Sequence, residues 1–325
     1  MTAGEEDATG PLADDDVPAW WQRLGLPGLI DIHTHFLPER MLRRVWAHFD
    51  AAGPLVGRPW PITYRTDQDS RLQRLRTLGV RRFTALAYAH RPGMAADLNN
   101  FTLGLAAAEP DCVPSATFYP EDGVLAEVEE VLRRGARVFK IHAQVGGFDL
   151  REPVLDPVWG LLADAAVPVV VHVGSGPVPR PGFTGPDKLA GVLRRHPALT
   201  AVVAHLGAPE YGEFLALADR YPRVHLDTTM AFTHFFEDVA PFPPRLLPQL
   251  ADAADRIVLG SDFPNIPYPY AHQLEALERL RDKEPRLDDD WLRAVCWANG
   301  ERLIGGPPVP LSGVRHKDGA HEQNI

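Results

Sequence analysis

Six apolar runs of the chain end in side chains that can bind metals or move protons. Leu29-Ile-Asp-Ile-His33-Thr-His35 ends in two histidines one residue apart, and Ala136 to His142 ends in Lys140 and His142. Pro168-Val-Val-Val-His172, Thr200 to His205, Arg223 to Asp227 and Ile257-Val-Leu-Gly-Ser-Asp262 repeat the pattern with one such group each. Side chains alternate along a strand, so His33 and His35 are expected on one face, with Ile30 and Ile32 on the other. A lone His-x-His reads more often as two polar positions on a half-buried strand than as a metal site. So many polar strand ends together do not, and neutral imidazoles with a carboxylate at one mouth suit Zn²⁺ or a similar divalent ion. Asp31, one layer below His33, is expected either to orient a ligand imidazole or to be a buried, hydrogen-bonded strand carboxylate.

Helical segments separate these runs. Asp67 or Ser70 starts a helix with Leu72, Leu75 and Leu78 on one face and Gly79 as its stop, and strand Val80 to Tyr88 follows. The alternation continues with helices over 94–108, 124–134, 156–165, 186–195, 209–220 and 245–253, then two closing helices over 270–283 and 288–304. Eight strands rich in Val, Ile and Leu, each followed by helix, predict a parallel sheet closed as a (β/α)8 TIM barrel. No Gly-x-Gly-x-x-Gly follows the first strand, which argues against a dinucleotide-binding sheet. In such a barrel the strand C-termini form the active face, where the polar strand ends fall. Two long insertions, Phe36 to Thr66 after strand one and Ala231 to Pro244 after strand seven, should overhang that face. Their aromatics, Phe36, Trp46, Phe49, Trp60, Phe232, Phe235 and Phe236, are expected to wall the pocket or to pack against another subunit.

Composition narrows the function classes. Six of the ten net negative charges come from acids within residues 1–16, which leaves −4 for the rest. No basic stripe with interleaved aromatics offers a nucleic-acid surface. No apolar run reaches eighteen residues, and the N-terminus lacks a signal-peptide pattern, so a cytoplasmic protein without a membrane span is expected. Cys112 and Cys296 stand apart and in no pattern with histidine, as ordinary buried thiols. The expected organisation is a flexible acidic leader over 1–27, one barrel over 28–305 and a flexible tail over 306–325.

Ile30-Asp-Ile-His-Thr-His35, Val171-His172, Ala204-His205-Leu-Gly207 and Gly260-Ser-Asp262 together resemble the amidohydrolase superfamily. Phe139-Lys-Ile-His142, Gly146-Gly-Phe-Asp149 and Trp297-Ala-Asn-Gly-Glu-Arg-Leu303 resemble its amidohydrolase-related branch, which includes enzymes like aminocarboxymuconate-semialdehyde decarboxylase. The resemblance implies His33, His35, His172 and Asp262 as metal ligands, with Asp262 also accepting a proton from water. It implies His205 as an acid/base or electrophilic group beside the substrate. One divalent ion is expected, Zn first and Mn or Fe as alternatives. The other reading has a second ion bridged by carbamylated Lys140 and ligated by His205. We favour Lys140 as an ordinary ammonium that binds a substrate carboxylate, with His142 and Asp227 as further substrate-binding candidates.

Hydrolysis of a small amide, ester or lactone by a metal-activated water is the preferred activity. The runner-up is non-oxidative decarboxylation of a cyclic or aromatic carboxylate by the same constellation. A non-catalytic barrel scaffold is the third reading, disfavoured because His33, His35, His172, His205 and Asp262 are all intact. The expected partner is a small-molecule substrate, and a homo-oligomer is left open.

Overall fold

The computed structural model describes residues 10–53, 57–176 and 179–305. Its strands are β1 (Leu29–Asp31), β2 (Val80–Thr84), β3 (Cys112–Val113), β4 (Ser115–Thr117), β5 (Val138–His142), β6 (Val169–His172), β7 (Ala201–Val203), β8 (Val224–Asp227) and β9 (Ile257–Val258). All pair in parallel, β1 to β3 in one ladder and β4 to β9 in another. The gap between β3 and β4 is Pro114, which has no N–H to give to a ladder. Its carbonyl still accepts from Arg137 N at 2.8 Å. β3 and β4 therefore serve as one barrel strand, and the count of eight holds.

Closure falls at the candidate ligands. Among the described residues β9 and β1 share no regular ladder. Ile32 N donates to Leu259 O at 3.0 Å, Asp262 N to His33 O at 2.8 Å and His35 N to Phe263 O at 2.7 Å. These bonds join the two segments that carry the first histidines and the last aspartate, and they complete a (β/α)8 TIM barrel.

Helices Gln68–Leu78, Ala95–Ala108, Val124–Arg133, Asp156–Asp164, Pro186–Arg195, Tyr211–Arg220 and Leu247–Asp252 follow successive strands close to the expected bounds. The first shows how local chemistry fixes them. Asp67 caps it by accepting from Ser70 N at 2.8 Å, and Gly79 ends it at φ 83°. A Cβ on Gly79 would lie 2.4 Å from Trp21 Nε1, so close packing and the left-handed turn both require glycine there. The expected helix over 288–304 is Asp289–Arg293 and Asn299–Ile304 joined by one π turn, Ala294–Ala298. The Val295 carbonyl in that turn accepts from Leu259 N at 3.1 Å and ties the closing helix to the end of β9.

Two apolar layers support the site. Ile30, Val138, Val170, Val202 and Val258, one from each of five strands, cluster together in the barrel. Val138 and Val170 lie two residues before Lys140 and His172, on the same faces and one layer deeper. The larger layer, including Leu75, Phe83, Val128, Trp159 and Phe214, lies between strands and helices.

The leader expected to be flexible over 1–27 is packed where it is described. Helix Val17–Arg23 buries Val17, Trp20 and Trp21, an i, i+3, i+4 stripe that outweighs the acidic composition before it. Asp14 is also engaged, accepting from Tyr64 OH at 2.6 Å and Ala271 N at 3.1 Å. The tail over 306–325 lies outside the described residues. No helix among the described residues is long and apolar enough to cross a membrane.

The two insertions meet each other. The first contains helix Glu39–Asp50 and the second helix His234–Glu237. Trp60 packs edge-on to Phe235 with centroids 4.9 Å apart, and the Arg58 guanidinium lies 4.3 Å over the same ring. The expected aromatic wall is only partly formed. Phe36 is buried against Phe83 and Phe232 against Phe242, because both stand next to the barrel core. Phe236 alone of these rings stacks on a site histidine, 6.1 Å from His205.

Candidate metal centre

His33, His35 and Asp262 form a group whose nearest ligand atoms all lie within 4.8 Å of one another. Regular strand ends at Asp31. There the Asp31 carboxylate accepts from His33 N at 3.1 Å, and the chain bends at Ile32. On the other side Asp262 takes a left-handed φ of 71°, uncommon for a residue with a Cβ. Gly260 permits the close approach, since a Cβ there would stand 2.2 Å from Thr229 Oγ1 and 2.8 Å from His33 Cβ.

The hydrogen bonds assign the ring protons. His33 Nδ1 is 2.8 Å from Asp227 Oδ2, and His35 Nδ1 is 2.8 Å from the Leu86 carbonyl. Both partners accept, so both Nδ1 atoms donate, and the neutral rings present lone pairs from Nε2. Those lone pairs face the same carboxylate oxygen: Asp262 Oδ1 is 2.9 Å from His35 Nε2 and 3.4 Å from His33 Nε2. Three acceptors aimed at one point repel unless a cation stands among them. Lys140, whose Nζ donates to His33 Nε2 at 3.0 Å, supplies one positive charge at its edge. Two imidazole nitrogens and a carboxylate fit a divalent ion of the zinc type.

Electrostatics follow the same geometry. Burial pushes His33 down to about 4, with the Lys140 charge adding to it, so the ring stays neutral at pH 7. Burial would raise Asp262, but the closeness of His35, His205 and His33 holds it well below the usual carboxylate range. Asp227 is likewise held low by His33 against the effect of burial. Burial lowers Lys140 to about 8, although Asp227 and Asp262 favour its charge.

In the metal-free fold Lys140 holds its proton less tightly than in the unfolded chain, because its folded pKa of about 8 lies below the reference 10.5, and its contribution to stability rises between those values. Urea unfolding of chelator-treated protein should show that rise between about pH 8 and 10.5, and Lys140→Met should lack it.

The remaining candidates divide. Asp227 was expected to bind substrate, but it is fully buried and all its bonds are internal. Oδ2 takes the His33 proton, while Oδ1 accepts from His205 N at 2.9 Å and Thr229 N at 3.1 Å. Asp227 thus orients the His33 imidazole, the role considered for Asp31. Asp31 instead accepts from Ser261 Oγ at 2.5 Å and Tyr270 OH at 2.9 Å, because the bend at Ile32 turns it away from the His33 ring. Lys140 was expected to reach a substrate carboxylate, but it is 1 % exposed and points at His33. His172 stands outside the three-residue group. Its Nε2 is 3.3 Å from the Gly176 carbonyl, and its ring stacks on His142 with centroids 3.8 Å apart.

His205 sits beside the group, its ring 5.3 Å from that of His33 and 4.9 Å from that of His172. It follows β7 with φ 55°, and Leu206 and Gly207 are also left-handed. Such a turn is strained for His and Leu and is held here by the His205 N bond to Asp227. Burial lowers its pKa, and its enclosed Nδ1 has no partner among the described residues. Tyr88, beyond the end of β2, was not singled out in the sequence. Its ring lies 6.2 Å from His35 and 4.9 Å from His142. Tyr88, His172, His205 and Asp262 are only half-buried, and they mark where the site opens.

The architecture and its donor group define a TIM barrel that brings a group able to hold a metal ion, His33, His35 and Asp262, to its strand C-termini. The model of the amidohydrolase family matches residues 30–306, and the chain belongs to that family. An uncharacterised TIM-barrel protein from Bordetella bronchiseptica is similar in structure at a TM-score of 0.67 and 21 % identity, over 86 % of this chain and 98 % of that one. An amidohydrolase from Burkholderia multivorans with bound Zn has a TM-score of 0.58 and 19 % identity, over 86 % and 100 %. A probable 2-pyrone-4,6-dicarboxylic acid hydrolase from Acinetobacter baumannii with citric acid bound has a TM-score of 0.54 and 14 % identity, with the same coverage. No curated protein matches the chain.

Proposed function

We propose that this protein is a metal-dependent hydrolase that opens a small amide, ester or lactone with an activated water. The observation that carries the reading is the convergence of His33 Nε2, His35 Nε2 and Asp262 Oδ1, three acceptors close enough to share one cation. These residues would hold the ion, Zn in the first instance, with Mn or Fe as alternatives. The similar Burkholderia protein carries Zn. A divalent ion bound there lowers the pKa of water toward about 7 and polarises a carbonyl.

The chain's own groups do the rest. Asp262 accepts the proton of the attacking water, which its ionised state at neutral pH allows. His205 faces the developing oxyanion and the leaving group, and either it or protonated Asp262 returns the proton. Asp227 holds His33 in the tautomer that presents Nε2, and through His205 N it fixes the turn that presents the second histidine. Phe236 and Tyr88 supply flat apolar surface on either flank, which suits a cyclic substrate.

His205→Asn should leave metal content at the wild-type level while turnover falls by roughly 10²- to 10⁴-fold, the range for an acid/base group. Loss of a metal equivalent in that variant would make His205 a ligand and favour the two-ion arrangement with carbamylated Lys140. The reaction itself is tested with a panel of cyclic amides, lactones and aromatic acids in ¹⁸O water. Hydrolysis places label in a new carboxylate. Release of CO₂ without labelled carboxylate would replace hydrolysis by decarboxylation.

A further inference from the structure

Asp14 lies ahead of the span that the family model matches, residues 30–306, yet a chain of hydrogen bonds joins it to the turn that carries Asp262. Its Oδ2 accepts from Tyr64 OH at 2.6 Å, and its Oδ1 accepts at 3.1 Å from Ala271 N, the first N–H of the helix Ala271–Glu278. Tyr64 OH in turn accepts from Tyr270 N at 2.6 Å. Tyr270 OH donates to Asp31 Oδ2 at 2.9 Å, and Ser261 Oγ donates to the same oxygen at 2.5 Å. Ser261 Oγ accepts from Phe263 N at 3.0 Å, while Asp31 Oδ1 accepts from His33 N at 3.1 Å. Tyr64, Tyr270, Asp31 and Ser261 are buried, so solvent does not compete for these bonds.

The chain ends on both sides of Asp262. Ser261 precedes it and Phe263 follows, and the Tyr64 ring packs on Phe263 with centroids 4.7 Å apart. Asp262 between them holds φ 71°, a conformation that persists only where its surroundings impose it. The backbone bonds of Asp262 N to His33 O and of His35 N to Phe263 O impose it from the side of β1. Tyr64 and Ser261 stand on the side of the N-terminal segment. A phenol whose donor and acceptor are both engaged cannot turn without breaking two bonds. We propose that Asp14 and Tyr64 are positioning residues, which hold the Asp262 turn in its left-handed shape and thereby make zinc affinity depend on the N-terminal segment. The dependence of affinity rests on Asp262 as a ligand; the shape of the turn does not.

Tyr64→Phe keeps the ring on Phe263 and removes the hydroxyl, and Asp14→Asn leaves one oxygen for two donors. Trp21→Phe is the control, since it breaks the bond from Trp21 Nε1 to the Leu78 carbonyl, in the same segment but off the chain. All three should lower Tm. In metal-free protein, hydrogen exchange of the Asp262 and Phe263 amides, relative to the β5 amides, should quicken roughly 10-fold in Tyr64→Phe and Asp14→Asn, the loss of one buried bond, and by at most about 2-fold in Trp21→Phe. Zinc Kd, read by competition with a calibrated chelator, should rise roughly 5- to 20-fold in the first two and stay at the wild-type value in the control. The double variant should exchange little faster than Tyr64→Phe alone, because Asp14 acts on the turn through the Tyr64 hydroxyl. Exchange that follows Tm alike in all three variants, or effects of the two substitutions that add, would overturn the proposal. Quickened exchange with zinc affinity unchanged would overturn the dependence of affinity on this segment. Quickened exchange in a protein whose wild type binds no zinc would uphold the clamp and refute the metal reading instead.

Discussion

Asp262→Asn should lose its metal and its turnover together, to below about a tenth of an equivalent of metal and by roughly 10⁴-fold or more in rate, the upper end for a lost proton acceptor. Asparagine is the informative replacement. Asp262 sits at φ 71°, and apart from glycine, Asn and Asp tolerate that region best, so the turn survives the change. The Asp262 N bond to His33 O is a backbone bond and also remains. What changes is the charge facing His33 and His35. Elemental mass spectrometry and a steady-state rate on the folded variant, with Tm as control, check the result. A variant that keeps a full equivalent of metal would remove Asp262 from the ligand set.

Asp227→Asn should weaken metal binding by roughly 10- to 100-fold, the usual cost of losing the group that orients a ligand histidine. The carboxylate has three donors to satisfy: His33 Nδ1 on one oxygen, His205 N and Thr229 N on the other. An amide has one oxygen. Its NH₂ must face either the His33 N–H or the two backbone N–H groups, leaving a buried donor unpaired at about 1–3 kcal/mol. Turning His33 to its other tautomer relieves that clash and points a proton at the metal position. Competition with a calibrated chelator measures the affinity, and urea unfolding of the metal-free variant measures the stability loss. Unchanged affinity would mean that Asp227 only braces the His205 turn.

The residues legible in the sequence were those whose position follows from the end of a strand. His33, His35 and Asp262 come together because the strands beneath them are apolar, parallel and punctuated by signals such as Gly79 and Pro168. The roles of Asp31 and Asp227 were not legible, since strict alternation places Asp31 under His33 while the structure bends at Ile32. Asp227 closes β8, but which imidazole it meets depends on closure between the first and last strands. His172 carries the ligand's sequence context, and what the sequence does not convey is its contact with the Gly176 carbonyl and its stack on His142. Tyr88 escaped notice because it lies beyond regular strand, where periodicity carries no information. In the leader, acidic composition masked the stripe of Val17, Trp20 and Trp21, which periodicity alone would have revealed.

Anomalous diffraction at the zinc edge, from crystals of zinc-loaded protein, tests the central claim most directly. The account predicts a peak about 2.0–2.2 Å from His33 Nε2, His35 Nε2 and an Asp262 carboxylate oxygen, the bonding distances of zinc to these atoms. It also predicts that Lys140 Nζ withdraws from His33 Nε2, the atom it now touches. A peak elsewhere, or fully loaded crystals in which Lys140 still donates to His33 Nε2, would contradict the assignment.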